Sequence, residues 1–172
     1  MRNALEILAC VGSALGAVFG MAGSVVADAV LRSLFWGVDG AGLVMAAALL
    51  TLKFHRQKSD LVAAGFLVLT AGEALILSGT AMTLEAAAPS FAAGAALWGT
   101  ALMLISVPRE FPPTVRGLGI ITALLFLATA AMTLSGQALT PLSRPLPYFA
   151  YPLFVLTIIG WIITILSRRE PG

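Results

Sequence analysis

An acid in an apolar run is the residue most able to carry chemistry in this chain. Glu73 lies twelve positions into the run 61–83. At about 1.5 Å per helical residue, that places it near the middle of a bilayer. A charged carboxylate facing lipid there costs roughly 2.5–3.5 kcal/mol on insertion scales, so the side chain is expected to face protein or a wet cavity. Thr70, Leu77 and Thr80 share its helical face at offsets of three, four and seven. Two further stripes have the same character: Thr122, Thr129, Thr133 and Gln137 in one run, and Thr157, Trp161 and Thr164 in another. Together these predict a candidate binding pocket or narrow pathway formed by Glu73, Thr70, Thr80, Thr129, Thr133, Gln137 and Trp161. The competing reading is local: each threonine bonds its own preceding turn, and Glu73 is a neutral carboxyl satisfied nearby.

The rest of the inventory is a set of exclusions. His55 is the one histidine and lies among basic residues in Lys53–Lys58, so paired-imidazole haem and a zinc cluster within the membrane are not expected. Cys10 is the one cysteine, which excludes a thiol pair. Lys53 and Lys58 fall at the edge of a span, poorly placed for a Schiff base, and no serine has a base beside it. Asp39 is grouped with Asp28, Arg32, Glu85 and Arg144 as solvated charge on one surface, which leaves Glu73 as the single acid deep in the membrane. These exclusions argue against an enzyme, and no cofactor or metal is expected.

The elements that must position these residues follow from composition. The chain has 172 residues, of which 59% are apolar and 18 charged, with a net charge of +2 and a mean hydropathy of +0.99. Soluble domains carry roughly 25% charged residues, so the solvent for most of this surface is lipid. Apolar stretches at about 4–27, 38–54, 61–83, 89–107, 117–138 and 148–167 predict an all-α membrane protein of six transmembrane helices in one polytopic domain, 1–172. The breaks are polar or proline-rich: Lys53–Asp60, Pro108–Pro113 and Pro141–Pro147. Asn3 with Glu6 reads as a capping box, and Ser59 with Asp60 as caps for the third span. The first run is too long for a cleaved signal peptide.

With both termini in the cytoplasm, Arg2, Lys53, Arg56, Lys58, Arg109, Arg116, Arg168 and Arg169 lie inside, and Arg32 and Arg144 outside. This bias predicts an N-in, C-in protein of the bacterial cytoplasmic (inner) membrane. Trp36, Tyr148 and Tyr151 then fall near the outer interface. The segments Leu77–Thr83 and Leu134–Thr140 match at five of seven positions, which suggests three tandem helical hairpins.

Gly12, Gly16 and Gly20 recur every fourth residue, and Gly65, Gly72 and Gly79 every seventh. Small residues at such spacing let helices approach closely, either within the bundle or against a partner. Two functional readings therefore compete. One is a non-enzymatic protein that binds or transports a small solute or ion through a polar lining of helices three, five and six. The other is an accessory subunit that packs through the Gly12/Gly16/Gly20 seam, as a homo-oligomer or with another membrane protein. The expected partner in either case is the lipid bilayer, with no nucleic acid.

Overall fold

The computed structural model describes residues 4–137 and 149–167, with Leu84 described by its backbone alone. These residues form six α-helices: α1 (Ala4–Val25), α2 (Ala29–Arg56), α3 (Asp60–Ser78), α4 (Leu84–Ser106), α5 (Pro113–Leu134) and α6 (Ala150–Ser167). All six are long and apolar enough to cross a membrane, and no strand occurs among the described residues. Each helix packs against the next in sequence, and α6 returns to α1, so the bundle is a closed ring. Arg2, Asn3, Arg144, Tyr148, Arg168, Arg169 and the last three residues of the second repeat segment (138–140) lie outside the described residues.

The helix ends differ from the sequence expectation in ways that have local causes. The second helix was expected from residue 38, but α2 begins at Ala29. Asp28 caps it, its carboxylate accepting from the Leu31 amide at 2.8 Å. The Arg32 guanidinium folds back to donate to the carbonyls of Val26 and Ala27 in the link between α1 and α2. The glycine-rich segment Trp36–Gly42 is therefore helix. At the other end, α3 stops at Ser78 rather than 83 and α4 starts at Leu84 rather than 89, with Thr83 as its N-cap. α5 starts at Pro113, where a missing amide is tolerated in the first turn.

Two expected caps have other partners. Ser59 stands at the N-cap position of α3, but its hydroxyl donates to Glu110 at 2.7 Å instead of serving the helix amides. Glu6 is buried and forms an ion pair with Lys53, which is itself buried in the last turn of α2 rather than in a loop.

Glycine sets the helix spacing. In α1–α2, a Cβ added at Gly42 would stand 2.8 Å from the Gly12 carbonyl oxygen, and one at Gly12 would stand 2.6 Å from that of Gly42. α3 and α4 cross on a second reciprocal pair, Gly72 and Gly94, with corresponding distances of 3.0 and 2.7 Å. Such approaches leave no room for any side chain and bring backbones into direct contact. α5 and α6 meet differently, with Gly160 against the Val115 side chain.

The middle of the ring is filled by aromatic rings. Phe54 stacks on Phe66 at 5.5 Å, Phe66 meets Trp161 edge-on at 5.1 Å, and Phe154 links Trp161 to Trp98, which meets Phe126 at 4.9 Å. This column is a close-packed core. Outward-facing positions such as Val18, Val30, Leu67, Leu124 and Ile163 are exposed apolar side chains, as a lipid-facing surface requires.

Candidate functional site

Four helices bring polar side chains to one point beside the aromatic column. α2 supplies Asp39, α3 Glu73, α4 Trp98 and α6 Tyr151; their relative exposures are 6%, 2%, 4% and 7%. The carboxylates lie at one depth. The Ser33 hydroxyl donates to the Thr80 carbonyl at 3.0 Å, which fixes α2 against α3 in register. From that level Asp39 and Glu73 are six and seven residues deeper, about 9–10 Å along their helices. Glu73 is thus nearer one end of the bundle than the middle, because α3 ends at Ser78.

The Tyr151 hydroxyl donates to Asp39, with both carboxylate oxygens 3.1 Å away, and stands 3.4 Å from the Gly16 carbonyl oxygen. Glu73 lies against the α2 backbone beside Asp39: a Cβ added at Gly40 would stand 3.1 Å from its Oε1. The two carboxylates are close enough for their charges to interact, and the N–H side of Trp98 faces Glu73. Neither Glu73 Oε2 nor Trp98 Nε1, however, reaches hydrogen-bond geometry with any described group.

Glycines make this arrangement possible. A side chain at Gly20 would overlap the Tyr151 hydroxyl and stand 2.7 Å from Asp39 Oδ2. One at Gly16 would run into Leu43 and approach Asp39 Oδ1 to 3.3 Å. Gly12, Gly16 and Gly20 are all buried, and the face they form is covered by α2 and Tyr151 of the same chain.

The electrostatics are one-sided. Two buried carboxylates, Asp39 and Glu73, meet here, and the Tyr151 hydroxyl and Gly16 carbonyl stand beside Asp39. Two N–H or O–H donors face the carboxylates, from Tyr151 and Trp98. No lysine, arginine or histidine among the described residues forms an ion pair with either carboxylate. Two anions in a low-dielectric interior without a cation repel each other and lose their hydration. The Glu6–Lys53 pair contrasts with this. It is about four helical turns away along α2, and each charge there has its opposite beside it.

Most of the lining predicted from sequence is used locally. The hydroxyls of Thr70, Thr80, Thr129 and Thr133 donate to the carbonyls of Phe66, Leu77, Leu125 and Thr129 at 2.8–3.0 Å. Thr122, Thr157 and Thr164 bond their own helices in the same manner. Trp161 packs among Phe66, Phe111 and Phe154 in the aromatic column, and Gln137 is exposed beyond the end of α5. Of that set, Glu73 alone reaches the buried centre. Its neighbours Asp39, Tyr151 and Trp98 were missed, Asp39 because it was assigned to the surface and Tyr151 because tyrosine prefers interfaces. One signal was present: Asp39 and Lys53 are fourteen residues apart, close to four whole turns, so one helix face carries both. No protein-family model matches the chain, and comparison with curated proteins and with solved structures finds no match either.

Proposed function

We propose that this is a non-enzymatic integral membrane protein that binds a proton or small cation between Asp39 and Glu73 and carries it across the bilayer. The observation that supports this reading is the Glu73 carboxylate, 2% exposed, beside a second carboxylate and with one oxygen lacking a partner. An acid buried in this way costs stability unless it is neutralised, and intramembrane acids face pathways for ions and protons. Packing around the centre is tight: a methyl group at Gly20 would overlap the Tyr151 hydroxyl, and one at Gly40 would press on Leu77 and Glu73, which favours a small ion over an organic solute.

The proposed orientation follows the basic residues, with both termini and the exposed Arg56, Lys58 and Arg109 on the cytoplasmic side. The carboxylates then lie about 7–8 Å below the outer end of α3, and the Glu6–Lys53 pair lies toward the cytoplasm. The subunit reading loses its main support, since the Gly12/Gly16/Gly20 seam is covered within the chain.

The test is flux in vesicles. Purified protein reconstituted with an internal pH dye should dissipate an imposed proton or sodium gradient. Glu73→Gln should abolish that flux while the protein still assembles. Wild-type flux in the variant would overturn the role given to Glu73.

A further inference from the structure

We infer that the cleft between the α2–α3 turn and the α4–α5 link binds one anionic phospholipid whose headgroup carries no amine, of the phosphatidylglycerol class. The inference goes beyond the ion-carrying reading and uses neither of its carboxylates. The cleft has a volume of about 360 Å³ and lies at the end of the bundle where α2 and α4 finish and α3 and α5 begin. In the orientation proposed above, that is the rim of the cytoplasmic leaflet. Its two walls are tied together. The Ser59 hydroxyl donates to Glu110 at 2.7 Å, and Phe54 packs against Phe111 at 5.6 Å. The site is therefore formed before a ligand arrives.

Charge selects the headgroup. Lys58, Ser59, Asp60 and Glu110 line the polar side. Both acids already have partners in the chain, since Asp60 faces His55 at 3.2 Å and Glu110 accepts from Ser59. Lys58 has none: its ammonium makes no ion pair or hydrogen bond among the described residues, and neither do the guanidinium groups of Arg56 and Arg109. All three side chains are exposed at this end of the bundle. Arg116 differs, because it donates to the carbonyls of Ser106 and Val107. A phosphodiester supplies the anion that the three unpaired cations lack. The backbone at Lys58 points the same way. It is left-handed, with φ 60°, where the Ser59 amide reaches the Phe54 carbonyl at 3.0 Å. Glycine suits that position after a helix best, so lysine keeps an ammonium at the cleft at a conformational cost.

The opposite wall distinguishes a lipid from a soluble anion. It is formed by Leu61, Val107 and Pro108, and the Leu61 and Val107 side chains are 49% and 52% exposed. Free phosphate would leave this apolar wall bare. A glycerol backbone and the first acyl carbons would cover it. Leu61 and Val107 also adjoin the ends of membrane-length helices, the level at which headgroup gives way to hydrocarbon. Cations on one wall and apolar side chains on the other match the two ends of one lipid.

The experiment is native mass spectrometry of the full-length protein in detergent, titrated in turn with phosphatidylglycerol, phosphatidylethanolamine and phosphatidylcholine of identical acyl chains. One phosphatidylglycerol per chain should be retained, about tenfold more tightly than either of the other lipids. Arg56→Gln and Arg109→Gln should each weaken that binding about fivefold. Lys58→Gly is the sharpest variant, because glycine suits the left-handed backbone. It should unfold no more easily than wild type and bind phosphatidylglycerol about tenfold more weakly. Leu61→Ser keeps every charge and should weaken the lipid about fivefold through the apolar wall. Retention that is unchanged in Lys58→Gly, or equal for the three lipids, overturns the site. Displacement of the lipid by inorganic phosphate overturns the choice of a lipid over a soluble anion.

Discussion

The contact of α6 with α1 and α2 runs through Tyr151, and Gly20 is the position that tests it. In Gly20→Ala the new methyl overlaps the phenol oxygen and stands 2.7 Å from Asp39 Oδ2. Both neighbours are buried, and α1 is held by the glycine crossing with α2, so the phenol must move. Overpacking of this kind costs about 1–3 kcal/mol. Loss of a hydrogen bond to a charged acceptor costs a further 1.5–3 kcal/mol or so. Against these stands a gain of about 1 kcal/mol in helix propensity. Because the two penalties share one displacement, the expected net loss is about 2–4 kcal/mol. Gly37→Ala is the control: nothing lies within 4 Å of its added Cβ, and it should be neutral or stabilising by up to about 1 kcal/mol. The assay is reversible unfolding in mixed micelles, with helicity read by circular dichroism. The double variant Gly20→Ala/Tyr151→Phe removes the clashing oxygen but leaves the ring Cζ against the new methyl; because the Tyr151–Asp39 hydrogen bond is then lost only once, it should be at least about 1 kcal/mol more stable than the sum of the single effects predicts. If Gly20→Ala proves as stable as Gly37→Ala, the placement of Tyr151 between α1 and α2 is wrong.

The buried pair at the other end should break asymmetrically. Glu6→Leu or Lys53→Met alone should cost about 3–5 kcal/mol in the same unfolding assay, while the double change should be near neutral. Thr70→Val and Thr129→Val should each cost below about 1 kcal/mol, because those hydroxyls bond their own helices, and should leave ion binding unchanged. Asp28→Ala should cost about 1 kcal/mol through loss of the α2 cap, seen as a lower unfolding midpoint. Glu73→Gln should unfold no more easily than wild type, since the amide keeps the side chain's shape and leaves no carboxyl to desolvate beside Asp39, and a loss above about 2 kcal/mol would mark Glu73 as structural.

The six helices could be read from apolar length because a bilayer imposes length directly on sequence. Their ends were less legible. Trp36–Gly42 resembles a loop by soluble-protein statistics, yet in this bundle Gly40 and Gly42 are where α2 meets Glu73 and α1. Glycine carries opposite meanings in water and in close-packed membrane helices, and the sequence shows the residue without its solvent. Glu73 stood out because an acid within a span has few inexpensive explanations. Asp39 did not, because placing it depended on a helix start set by Asp28 and Arg32, a side-chain and backbone arrangement invisible to hydropathy. The threonine stripes had the correct faces, but periodicity cannot distinguish a hydroxyl that lines a cavity from one that bonds the carbonyl four residues back.

The two charged sites in the α1–α2 region show why the carboxylate centre calls for a functional explanation. Glu6 and Lys53 are buried together, and the cost of desolvating each is offset by the other. Such a pair joins two helices and needs nothing from outside. Asp39 and Glu73 are buried to a similar degree, but they have the same sign, and their surroundings supply more acceptors than donors. Neither the Tyr151 hydroxyl nor the Trp98 N–H brings a positive charge. If stability alone had shaped this chain, a leucine at position 73 would fill the space beside Gly40 and Trp98 without the penalty. A lysine or arginine opposite the acids would also have closed the centre, as Lys53 closes the site at Glu6. On the reading proposed above, the missing positive charge comes from solution as a proton or cation, and an ion that arrives from solution can also leave. A stability-neutral Glu73→Gln variant that loses ion binding would separate these roles, because a structural carboxylate fails both measurements together.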